Sequence, residues 1–69
     1  MDIFAKRLRE TLVAKGMQQI ELAKKIGKSQ SIVNDYCTGN KKPPIDVLLL
    51  ICKELGESPN YLTGYSDET

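Results

Sequence analysis

Histidine and tryptophan are absent from these 69 residues, phenylalanine occurs once and cysteine twice. Without histidine, a Ser-His-Asp triad, a Cys2His2 metal site and an imidazole base are all excluded. Cys37 and Cys52 are too few for a disulfide scaffold and are spaced like no zinc motif. They are expected as free thiols packed as small hydrophobes in a reducing cytoplasm. No window approaches the roughly 18 uncharged apolar residues of a membrane span. Met1 runs straight into Asp2 and a charged helical pattern, which is no secretory signal. Strand signatures are missing too, since no stretch alternates β-branched and polar residues. The remaining acids and hydroxyls form no constellation with a base or a metal, so no enzyme, metal or cofactor is expected.

What is present suits one small domain. The composition is 41% hydrophobic and 28% charged, too apolar for general disorder. A chain of this length buries about 60% of its unfolded surface, so each core residue matters. The net charge of +1 hides a division. Residues 1–44 carry nine Lys or Arg against four acids, +5, while residues 45–69 carry one Lys against five acids, −4. One basic face, suited to a polyanion, and one acidic face can result.

Spacing and punctuation predict an all-α, compact five-helix domain. Phe4, Leu8 and Leu12, with Ala5 beside them, line one stripe of a helix over about 3–15 that Gly16 ends. A second helix, about 19–26, turns Ile20, Ala23 and Leu22 or Ile26 inward and stops at Gly27. Ser29 caps a third, about 30–37, in which only Val33, Tyr36 and Cys37 form an inward patch. That helix is too short and too polar to stand on propensity alone. After the loop 38–44, a fourth helix over about 45–55 repeats Ile45, Leu48, Ile51, Cys52 and Leu55 and ends at Gly56. Ser58 and Pro59 start a one-turn helix whose Tyr61 and Leu62 plug the core, and residues 65–69 read as a short, flexible acidic tail.

The second and third helices, separated by Gly27-Lys28, form a candidate helix-turn-helix. Gly16-Met17-Gln18-Gln19-Ile20-Glu21-Leu22-Ala23, then Gly27, Ser29, Val33, Gly39 and Pro43, resemble the phage-repressor and Cro-like (XRE-type) helix-turn-helix family. Ile45 to Leu49, Leu55-Gly56-Glu57-Ser58 and Tyr61-Leu62 match its last two helices, so the resemblance covers about residues 3–64. It implies a DNA-binding domain over 1–64, of phage or prokaryotic type, acting as a cytoplasmic repressor on an operator in double-stranded DNA. The alternative is a small protein-interaction or antitoxin-like module, which a large apolar patch involving Leu50, Ile32 or Tyr65 would favour.

Within the resemblance, Ala23, Gly27 and Val33 are structural: the helix crossing, the turn and the anchor of the recognition helix. Gln19 is implied to touch a phosphate and brace Gln30, a bridging task that suits a primary amide. Gln30, Ser31, Asn34 and Asp35 match base-reading positions, and their side chains carry the chemistry for adenine and cytosine edges. Ile32 either contacts a thymine methyl or packs on the sugar-phosphate wall, and Asp35 equally serves to repel wrong sequences. Gln18, Lys28, Asn40, Lys41 and Lys42 are expected phosphate contacts that set register without reading sequence. A homodimer, weak in solution and formed on DNA, is expected through Glu57, Ser58 and Tyr61; Leu50 is either part of it or simply exposed.

Three departures from the family pattern stand out. An arginine late in the first helix and a glutamate late in the recognition helix are replaced by Leu12 and Cys37, so an apolar contact takes the place of an ion pair. Gln18 stands where a threonine or serine cap is usual, which predicts fraying at the first turn of the second helix unless DNA orders it. Glu57 replaces a common valine.

Overall fold

The computed structural model describes residues 2–65, which form five helices in chain order: α1 (Ile3–Lys15), α2 (Gln19–Ile26), α3 (Gln30–Thr38), α4 (Ile45–Leu55) and α5 (Pro59–Thr63). Side-chain caps set three of the starts. Asp2 Oδ1 accepts from Ala5 N at 3.2 Å, Ser29 Oγ from Ile32 N at 3.2 Å, and Ser58 Oγ from Tyr61 N at 3.1 Å. At α2 the expected fraying is countered from inside the helix: Glu21 Oε1 accepts from the Gln18 backbone at 3.4 Å. That is the return arm of a capping box, which a glutamate at the third helical position can supply.

Helix α3 packs against α1 and α2, α4 against α2, and α5 closes the bundle over α1 and α4. The core is Phe4, Leu8 and Leu12 of α1, Leu22, Ala23 and Ile26 of α2, Val33, Tyr36 and Cys37 of α3, then Val47, Leu48, Ile51, Cys52, Leu55 and Leu62. Ala23 is 1% exposed, as a helix crossing demands, and Gly27 takes φ +72° in the tight turn that follows.

Two expected core residues lie outside it. Ile20 is 39% exposed, because at about 100° per residue it sits about 110° from the centre of the Leu22–Ala23–Ile26 stripe. Ile45 is 68% exposed at the first position of α4, on one edge of the buried arc, while Val47, missed by the spacing argument, is buried on the opposite edge. Tyr61 is only partly buried, and α3 runs one residue further than expected, through Thr38. Of the tail, Tyr65 is exposed, and residues 66–69 lie outside the described residues. Among the described residues no helix is long and apolar enough to cross a membrane.

Candidate nucleic-acid interface

The inner face of α3 is fixed by Val33 and Cys37, each fully buried, and by Tyr36. Turning about 100° per residue, Gln30, Asn34, Ser31 and Asp35 then follow one another over about 140° of the surface, starting beside Cys37 and running away from the core. Gln30, Ser31 and Asn34 are exposed; Asp35 and Ile32 are half-buried. Thr38, assigned to the loop by composition, lies on the same arc, and its hydroxyl donates to the Asp35 carbonyl at 3.3 Å. Only the extra residue of α3 could have revealed it. Ile32 packs against the edge of the core.

Asp35 is engaged by the loop that follows. Lys41 Nζ lies 3.8 Å from its Oδ2, and the Lys41 amide donates to its carbonyl at 3.2 Å. Lys41 and Asp35 therefore form one unit that pins the loop to the end of α3. Asn40 and Lys42 are exposed beside it, and Lys28 is exposed in the turn before α3. The α2 end of the surface is an open groove of about 380 Å³ lined by Arg9, Leu12, Val13, Met17, Gln18, Gln19, Gln30 and Cys37. It brings Gln18, Gln19 and Gln30 together, three residues drawn from both helices of the motif.

Leu12 and Cys37 line the same groove, both buried, as expected of an apolar contact. Burial pushes the Cys37 thiol up, against the opposing pull of the Arg9 charge. Burial also pushes Cys52 up, with the Glu57 carboxylate adding to it. The charge at the end of α3 comes from an unexpected place: Arg9 Nη1 donates to the Cys37 carbonyl oxygen. No spacing argument finds this bond, since it joins residues 28 apart in sequence.

The expected dimer residues are divided. Ser58 caps α5, and Tyr61 lies under Arg7. Glu57 and Tyr61 share a shallow groove with Glu10, Thr11, Ala14 and Lys15, where Glu57 Oε1 is buried without a hydrogen-bond partner. Leu50 does not line that groove; it is 42% exposed on the outer face of α4, near Leu49 at 50%.

The sequence pattern of the helix-turn-helix family matches residues 6–62. The uncharacterized HTH-type transcriptional regulator YobD of Bacillus subtilis (strain 168) is 32% identical over 66 residues, which is 96% of this chain and 59% of that protein. The chain thus spans under two thirds of the length of this relative. Among solved structures, the P22 c2 repressor protein, in complex with synthetic operator 9T in the presence of Tl+, superposes with a TM-score of 0.88. The match covers 96% of this chain and all of that one at 24% identity, a likeness of fold.

Proposed function

The chain belongs to the helix-turn-helix family, and from that membership we propose that it is a sequence-specific, double-stranded-DNA-binding transcriptional regulator. It acts as a repressor by occupying a pseudo-palindromic operator in the cytoplasm. The observation that carries this reading is the mounting of α3: Val33, Tyr36 and Cys37 hold one face in the core while Gln30, Ser31 and Asn34 are offered outward. A helix so held fits the major groove, where the amides of Gln30 and Asn34 match adenine edges and Ser31 adapts to donor or acceptor. Ile32, half-buried, is suited to the sugar-phosphate wall. Asp35, shared with Lys41, serves first to fix the loop and only then to discriminate bases.

Phosphates are met on both flanks. On one side stand Gln18 and Gln19 at the start of α2, where the helix dipole favours an anion. On the other stand Lys28, Asn40, Lys41 and Lys42. Bonding to phosphate here sets register, and no covalent chemistry is required.

The domain is 28 Å along its longest axis, shorter than the roughly 34 Å between half-sites one helical turn apart. One copy therefore reads one half-site, and a homodimer assembles on the operator. Its contacts are drawn from Glu57, Ser58 and Tyr61, with Leu50 left apart on the outer face of α4. A second reading, a protein-facing role for α4, is favoured by Ile45, Leu49 and Leu50 standing exposed on one helix.

Binding of the purified protein to a mixed-sequence duplex, measured across a salt series, tests the polyanion part of the proposal. A log-log slope of several negative units is expected, at about 0.9 per neutralised phosphate. A flat response would remove the basic surface from the account and shift the weight to a protein partner.

A further inference from the structure

Resting on the DNA-reading role above, we propose that Arg9 is the positioning residue that sets the aim of α3, capping the C-terminal end of the recognition helix from a neighbouring helix. Helix α1 has Lys15 in its last turn, α2 has Lys24 and Lys25, and α4 has Lys53. Helix α3, like the one-turn α5, has no basic residue in its last turn. Its carbonyl end, the negative pole of the helix, lacks a cation of its own. The Arg9 guanidinium crosses from α1 and donates to the Cys37 carbonyl oxygen. Its charge is felt at Cys37, where it opposes the upward push of burial on the thiol.

A guanidinium suits this task. It is always charged, planar and directional, so it holds an acceptor at a defined angle. The helix of nine residues is then held by the Ser29 cap at its start, by Val33 buried at its middle, and at its end by Arg9 on the core side and the Lys41–Asp35 unit on the loop side. Leu12 and Cys37, buried along the same groove, are apolar, and apolar packing carries little directional information. Arg9 restores direction where the side chains beside it supply none.

Arg9 also lines the groove it shares with Gln18, Gln19 and Gln30, so the test must separate positioning from a direct phosphate contact. Arg9→Met keeps the stem and removes the donors; Arg9→Lys keeps a cation and fewer donors. Both are compared with the natural protein on the duplex that it selects from a random pool, on the unselected pool, and by hydrogen exchange of the helix amides. For Arg9→Met, preference for the selected duplex over the pool should fall about tenfold. Pool affinity and its salt slope should stay within about twofold, and the amides of Val33–Thr38 should exchange faster while those of α4 do not. Arg9→Lys should fall between.

Equal losses on both duplexes, with the salt slope down by about 0.9, would make Arg9 a phosphate contact and overturn the proposal. Faster exchange throughout all helices would reduce it to general stability and overturn it too. If the natural protein selects no sequence, the operator reading fails by itself. The exchange arm then still decides: selective loosening of α3 supports Arg9 as its positioner, and unchanged α3 exchange overturns it.

Discussion

Arg7 and Tyr61 make a two-part clasp between the first and last helices. The Arg7 guanidinium carbon lies 4.5 Å from the centre of the Tyr61 ring, and Nη1 donates to the Tyr61 carbonyl oxygen at 2.6 Å. Helix α5 is one turn long and could not persist alone. Arg7→Met should therefore cost about 1–2 kcal/mol in chemical denaturation, the sum of a charge-assisted bond and a ring contact near the surface. Arg7→Lys should recover only part. A Met variant as stable as the natural protein would mean that buried Leu62 and the Ser58 cap hold α5 without the clasp.

Gly64 and Gly16 allow a controlled comparison at the ends of two helices. Both have positive φ, at +82° and +64°, but a Cβ on Gly64 would lie 2.7 Å from Ile3 Cγ2 while one on Gly16 would meet nothing within 4 Å. Gly16→Ala should cost about 1–2 kcal/mol, the strain of a left-handed backbone. Gly64→Ala should cost more, and Ile3→Ala in the same chain should restore part of the excess. Equal costs at both glycines would show that Ile3 yields without penalty.

How much of this was legible beforehand differs by interaction. The helix limits were, because capping and glycine chemistry act within a few residues: Ser29, Ser58, Gly16, Gly27 and Gly56 each stand where the chain starts or stops a helix. Periodicity erred at Ile20 and Ile45, since whether the edge of a stripe is covered depends on the helix opposite. The roles of Arg7 and Arg9 were invisible, as each meets a backbone carbonyl far along the chain. For the interface, the exposed arc of α3 followed from the pattern, but the engagement of Asp35 by Lys41 needed the path of the loop.

The two buried thiols give a pH dependence. Burial raises both above the ordinary thiol value of 9.0, so folding favours their protonated forms. Their contribution to stability is complete below the unfolded value and is lost as pH rises through the raised folded values. Denaturation followed from pH 8 to pH 11 should show a downward slope that is shallower in a Cys37→Ala, Cys52→Ala chain, whatever that chain's absolute stability. Identical slopes would mean that the two thiols contribute nothing to it.

Gln30 is proposed to read a base edge. Gln30→Ala should weaken binding to the selected sequence by about 1–3 kcal/mol and relax preference at one position in each half-site. Competition with duplexes varied at single positions checks this, and an unaltered preference profile would remove Gln30 from base reading.

Lys28 is proposed to contact phosphate alone. Lys28→Ala should weaken all duplexes about equally and lower the magnitude of the salt slope by about 0.9. A loss that varied with sequence would argue for a base contact instead.

Selection from a random double-stranded pool, at low and near-physiological salt, bears most directly on operator binding by a helix-turn-helix dimer. The account predicts enrichment of a pseudo-palindrome whose half-sites lie about 10 base pairs apart, centre to centre, persisting at the higher salt. Binding that enriches no sequence and disappears at the higher salt would contradict it, leaving a basic surface without a code.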